Sequence, residues 1–316
     1  MSERSEEPVA PDRMREVAGG ASPRRYRVLH RTVYTYSDAV GSSYGRAYLS
    51  PREFPGQRLH AHEIRIDPVP SDRSVGVDVY GNITLYFHVT AEHRRLEVTG
   101  ESVVEVTRPE HPRGTPPWES ARPDGKRGPL AVDFALDLHP PEITPEVKAY
   151  AAESFPPGRP LLDAVAELNS RIHRDFTYTS GSTTVTTRVA DVFAAREGVC
   201  QDFARIGAAC LRSQGLAARY VSGYLSTRPP PGRERLIGVD ATHAWTAVWL
   251  PGGDDPDDPG RWIGFDPTND QFADDRYVTL AWGRDYADVP PLRGIIYTDA
   301  KESTIAVSVD MAPIEV

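Results

Sequence analysis

Apolar and polar residues alternate with a period of two through five short stretches in the first third of the chain: 27–36 (RVLHRTVYTY), 63–67, 75–79, 83–89 and 96–107. Alternation of this kind puts every second side chain on one face and predicts strands, with Tyr80-Gly81-Asn82 as a hairpin-type turn between two of them. An antiparallel β unit of roughly 80 residues is the expected result. Later the period lengthens. Thr144, Pro145 and Glu146 stand in the order of N-cap, first-turn proline and acidic residue, opening a helix to about residue 154. Val165, Leu168, Asn169, Ile172 and Phe176 then recur at helical spacing over 163–176. In 188–215 (RVADVFAAREGVCQDFARIGAACLRSQG) one helix gives way to a second. Gly198 is expected just past the first, in the left-handed conformation that glycine tolerates. Phe203, Ile206, Gly207, Cys210 and Leu211 mark the inner face of the second, which Gly215 stops. Strands are predicted again at 217–225, 241–250 (ATHAWTAVWL), 261–266 (RWIGFD), 277–280, 294–297 and 304–309. Helices followed by strands predict an α+β arrangement.

Composition sets the boundaries. Residues 1–24 carry few large apolar groups and read as a disordered tail. The β unit occupies 25–108. The stretch 109–129 (PEHPRGTPPWESARPDGKRGP) is dense in proline and glycine and reads as a linker, with Trp118 packing on one of its neighbours. A second domain follows over 130–316. The 316 residues have a net charge of −9, which disfavours nucleic acid and anionic membrane as partners. No run of about 18 apolar residues occurs. The two cysteines, Cys200 and Cys210, lie roughly 15 Å apart along one helix and cannot bridge. Free thiols and an opening segment without an apolar core predict a cytoplasmic protein.

Cys200 falls in the first turn of the predicted buried helix, where free backbone amides and the helix dipole favour thiolate over thiol. In 241–250, His243 shares a strand face with Trp245, Ala247 and Trp249. In 261–266, Trp262, Gly264 and Asp266 share one. If the two strands pair as a hairpin with His243 opposite Asp266, the three residues form a line, Asp266 fixing the imidazole and His243 taking the thiol proton. Trp245 and Trp249 wall the cleft or fill the core.

The segments Gly198-Val199-Cys200-Gln201-Asp202-Phe203-Ala204, Leu211-Arg212, 215–224 (GLAARYVSGY), His243-Ala244-Trp245 and Asp266-Pro267-Thr268 resemble the transglutaminase-like superfamily, in its bacterial branch with an N-terminal β domain. The resemblance runs from about Tyr26 to about Ile296 and includes 283–286 (GRDY) and 288–291 (DVPP). It implies a papain-like, transglutaminase-core domain preceded by a small antiparallel β domain, with Cys200 as nucleophile, His243 as base and acid, and Asp266 as the orienting group. Arg205 departs from the family, which usually has histidine there.

The other candidates have plainer readings. Cys210 is a core residue, and Asp202 serves the helix dipole. His60 and His62 are surface or packing histidines without further ligands nearby, and Asp254, Asp255, Asp257 and Asp258 belong to a solvated turn. No metal or organic cofactor is implied. The expected chemistry is acyl transfer through a thioester on Cys200, with a peptide or protein substrate and water as acceptor: a peptidase or amidase. Alternatives are a protein-glutamine transglutaminase using an amine acceptor, transfer from a small thioester donor, and a peptide-binding scaffold without catalysis.

Overall fold

One long strand, β1 (Arg24–Ala47), organises the first layer. The computed structural model describes residues 22–112, 114–227, 242–252 and 259–314. The expected tail up to residue 21, the connection at 228–235 and the acidic turn at 254–258 lie outside them.

Four further strands follow, β2 (Gln57–Asp67), β3 (Asp72–Val77), β4 (Ile83–Val89) and β5 (His93–Val106), in the sheet order β2-β5-β1-β4-β3. All pairs are antiparallel, and the pairing of β1 with β5 slips between Thr35 and Val40. There the two halves of β1 part company: β5 accompanies the first and β4 the second.

The second layer runs through α1 (Pro145–Ser154), α2 (Leu161–Asp175), β6 (Thr177–Tyr178), α3 (Val189–Ala195), β7 (Glu197–Gly198) and α4 (Cys200–Ser213). It ends in β8 (Ala218–Leu225), β9 (Thr242–Leu250), β10 (Arg261–Asp266), β11 (Gln271–Phe272) and β12 (Tyr277–Gly283), whose sheet order is β11-β10-β9-β8-β12. The Thr144 hydroxyl accepts from Val147 N–H and caps α1, as the sequence pattern anticipates. α4 is buried from Asp202 to Arg212 and packs against β8, β9 and all three other helices. Phe203, Ile206, Cys210 and Leu211 share its core with Val248 and Phe265, each large side chain contributing roughly 1.5–3 kcal/mol by leaving water. Cys210 is fully buried, and burial pushes its thiol up to about 12.

Within the stretch 109–129, the segment around Trp118 packs on its helical neighbours, as the sequence reading expects. Trp118 is buried among α1 and α2 residues, and its indole N–H donates to Pro156 O at 2.9 Å. By contrast, β13 (Leu292–Thr298) and β14 (Ser303–Ile314), expected within the second domain, both pair with β1 of the first sheet. Their period-two pattern identifies them as strands but carries no information about which edge they join.

The layers are therefore interlocked. Tyr26, Val28, Val104, Val309 and Met311 of the first sheet share one core with Ala204, Tyr220, Tyr224 and Val278 of the second layer. The edge strand β12 is closed mainly by side chains, with one backbone bond from Arg52 N–H to Thr279 O at 3.2 Å. Gln57 donates to Thr279 O and accepts from Thr279 N–H, each at 2.7 Å, and Asn82 treats Trp282 likewise at 2.8 and 3.0 Å. Each amide supplies the donor and acceptor that a neighbouring backbone would have offered.

Candidate active site

α4 starts at Cys200 because Val199 is extended (φ −118°, ψ −179°) and its carbonyl accepts from the Asp202 and Phe203 amides. The buried Asp202 carboxylate accepts from Val199 N–H at 2.9 Å and from the Thr183 hydroxyl at 2.6 Å. It thus holds the 178–187 loop against the helix start in addition to answering the dipole. Gly198 is not left-handed; Arg196 takes that role at the end of α3, with φ 58°. Glycine is required at 198 for closeness instead, since a Cβ there would lie 2.9 Å from that of Asp202. β6 and β7 pair in parallel, bringing Tyr178 beside the residues that lead into Cys200.

His243 enters near the start of β9 and Asp266 ends β10. The observed register pairs Phe265 with Thr246 and Trp262 with Trp249. Continued by one step it sets Asp266 across from Trp245, so the expected pairing of His243 with Asp266 is displaced by two residues. A shift of two preserves the face, and His243 reaches Asp266 diagonally. The imidazole Nε2–H donates to Asp266 Oδ2 at 2.7 Å, and half-buried Cys200 lines the same cleft as His243. The three predicted residues are thus brought together.

The carboxylate of Asp266 is fully buried and surrounded by donors. Oδ2 also accepts from Asn269 Nδ2 and the Tyr277 hydroxyl, each at 2.7 Å, and Oδ1 from Thr268 N–H at 2.9 Å. Burial alone would raise this carboxyl, but the His243, Asn269 and Tyr277 hydrogen bonds overcome it and hold it below the ordinary range. For His243 burial acts downward, and the Asp266 hydrogen bond with the influence of neighbouring Cys200 prevails, pushing it up to about 10. Asn269 was within reach of sequence reasoning, since Asp-Pro-Thr-Asn is a turn signature. Tyr277, eleven residues from Asp266 in sequence, has no local signal.

Trp245 is buried against Val221, Ala247 and Tyr277, with its ring 6.1 Å from the imidazole at 26°. It both fills the core and backs the histidine. Its indole lies over Gly223, where a Cβ would come within 2.6 Å of the ring. Arg205 is tied to Asp285 at 2.8 Å and to Glu142 at 3.4 Å, a structural clasp between α4 and two loops.

Cys200 and His243 open into a cleft of about 330 Å³. Tyr178, Tyr220 and Ser222 line one side; His30, Thr32 and Tyr34 of β1 line the other. His30 is held between Tyr224 and Thr32, each at 3.0 Å, and burial pushes it down to about 4, so it is neutral at physiological pH. A cysteine sulfur, an imidazole and a buried carboxylate in this order can perform nucleophilic attack and proton transfer. Among the described residues no cluster of three or more His, Cys, Asp or Glu is placed to hold a metal, and His62 instead bridges Ser50 and Ser102. No described helix is long and apolar enough to cross a membrane.

Two family descriptions match the chain: the bacterial transglutaminase-like N-terminal region over residues 26–105 and the transglutaminase-like superfamily over 148–267. The chain belongs to the transglutaminase-like superfamily. The first match covers β1 to β5, and the second runs from α1 past Asp266. An uncharacterised protein of Mycobacterium tuberculosis (strain H37Rv) is 59% identical over 92% of this chain and 93% of its own. One from Mycobacterium leprae is 32% identical over 86% and 92%. Among solved structures, a candidate cysteine protease from Cytophaga hutchinsonii superposes with TM-score 0.71 and 18% identity, covering 94% of this chain and 92% of that one. It shares the fold of this transglutaminase-like chain from the N-terminal sheet through the core. Family and fold together point to a cysteine-dependent enzyme.

Proposed function

We propose that this transglutaminase-like protein hydrolyses a peptide or carboxamide bond through a thioester on Cys200, in the reducing cytoplasm. The placing of Cys200 and His243 in one cleft, with His243 hydrogen-bonded to buried Asp266, is the observation that supports this reading. The Cys200 sulfur, as thiolate, attacks the carbonyl carbon, and the C–N bond breaks as the His243 imidazolium gives its proton to the departing amine. Neutral His243 then takes a proton from water, whose oxygen displaces the sulfur and releases the acid. The backbone N–H of Cys200, in the first turn of α4, stabilises the oxyanion in this reading. Asp266 orients the ring and balances its charge without titrating.

Water is favoured over an amine because the described residues lining the cleft include no aspartate or glutamate to gather a lysine ammonium. The family places the chain among cysteine-dependent enzymes, and the description of the Cytophaga neighbour as a candidate cysteine protease agrees with hydrolysis. The test is acid quenching during turnover of a peptide mixture, followed by intact mass and peptide mapping, with and without a dansylated primary amine. A labile acyl adduct on Cys200, absent in Cys200→Ala, with products carrying water alone, is expected. Incorporation of the amine in preference to water would make the protein a transglutaminase, and no adduct on any peptide would make it a scaffold.

A further inference from the structure

The wall opposite Cys200 is built by the β domain, and its side chains change character along its length. On β1, Tyr26, Val28, His30, Thr32 and Tyr34 occupy alternate positions and share a face. On the neighbouring β14, Met311 and Val309 continue that face and are fully buried against the second layer. The next two positions on the same face, Val307 and Ile305, pair with Thr32 and Tyr34 and line the cleft, yet are 49% and 59% exposed. Large apolar side chains thus stay uncovered at the very place where the two layers separate in front of the thiol.

The cleft does not end there. Tyr34 and Leu292 line it and also a second cavity of about 160 Å³, whose other walls include Tyr36, Tyr44, Phe87, Leu96 and Ile296. Tyr44 is held by stacking on His88 at 4.0 Å, so this lining is packed before any ligand arrives. None of the described residues lining the cleft is Asp, Glu, Lys or Arg, and Arg293 is the one such residue in the second cavity. A preformed cavity with mainly apolar and aromatic walls, sharing Tyr34 and Leu292 with the cleft of Cys200, takes an apolar group.

We propose that the cleft and the second cavity form one substrate channel in which the β domain selects the substrate, seating an aromatic or large aliphatic side chain close to the scissile bond between Tyr34, Leu292 and Ile305. The inference rests on reading Cys200 as the nucleophile. It divides the work between the layers, the helical one carrying the reacting groups and the sheet facing them reading the peptide. The interlocking of β13 and β14 with β1 suits this division, because Leu292 and Ile305 reach the channel from strands that follow the core in sequence.

The test uses dipeptidyl vinyl sulfones bearing Phe, Gly or Asp in turn at each residue, with the rate of Cys200 modification followed by intact mass. Each rate is divided by that for iodoacetamide, which is too small to reach the second cavity, on the same protein. Phe at one of the two positions is expected to exceed Gly and Asp by about tenfold or more, the scale of burying one large apolar side chain. Ile305→Ser, on an exposed position that folding does not depend on, and Tyr34→Ser are each expected to lower that ratio severalfold, while Tyr34→Phe keeps it. Fast iodoacetamide labelling with ratios near one at both positions would overturn the channel alone. Slow iodoacetamide labelling of the unaltered protein would overturn the catalytic reading and the channel with it.

Discussion

Replacing Asp266 by asparagine exchanges one oxygen for an NH2 group in a place where every neighbour is a donor. Oδ2 accepts from His243 Nε2, Asn269 Nδ2 and the Tyr277 hydroxyl, and Oδ1 from Thr268 N–H. The Tyr277 oxygen itself accepts from Gln271, which commits its proton to Asp266. Whichever way the new amide turns, its NH2 faces a donor, a mismatch worth about 1–3 kcal/mol in a buried site. The larger effect falls on His243. Its rise to about 10 from an ordinary value near 6.5 corresponds to roughly 5 kcal/mol in favour of the imidazolium. Asp266 and Cys200 together supply that rise and also offset the burial that opposes it, Asp266 the larger part, so losing the carboxylate removes at least about 3 kcal/mol, or roughly a hundredfold or more in the imidazolium population. Two assays read this directly. NMR titration of the His243 ring is expected to show protonation persisting to about pH 10 in the unaltered protein and ending below about pH 8 in Asp266→Asn. Alkylation of Cys200 by iodoacetamide near pH 6 is expected to slow by about 30- to 100-fold. If the His243 transition stays in place after the substitution, Asp266 is not what charges the ring, and the reasoning fails.

Gln57→Leu removes the acceptor of buried Thr279 N–H on the closed edge of β12; a loss of about 2 kcal/mol and a melting temperature lower by about 5 °C are expected in a thermal scan, and an unchanged melting temperature would mean that the edge does not depend on the clamp. Because His243 is raised above its unfolded value, the stability it contributes is complete below about pH 6.5 and disappears as pH rises through about 10. Urea unfolding of the unaltered protein and of His243→Ala should therefore converge between about pH 7 and pH 10, whereas a constant difference over that window would contradict the assignment.

The position of Cys200 was legible in the sequence, because it is a local matter. Phe203, Ile206, Cys210 and Leu211 recur at helical spacing, and that spacing alone places Cys200 in a first turn. The strands of His243 and Asp266 were legible for the same reason: alternation states which residues share a face. Alternation does not state the register. The observed pairing is two residues from the simplest one, and only the preserved parity kept His243 and Asp266 on the same side. Gly198 shows a related limit, since a glycine needed for close approach to Asp202 looks, in sequence, like one needed for a left-handed turn. What tertiary structure alone decided are the contacts between distant segments: Tyr277 on Asp266, Gln57 and Asn82 on β12, and His30 and Tyr34 opposite Cys200. The same holds for β13 and β14, whose pattern says strand with no mention of β1. A hydrophobic period records that a face leaves water; which surface covers it is settled by the shape and free edges of the rest of the molecule, information that no window of neighbouring residues contains.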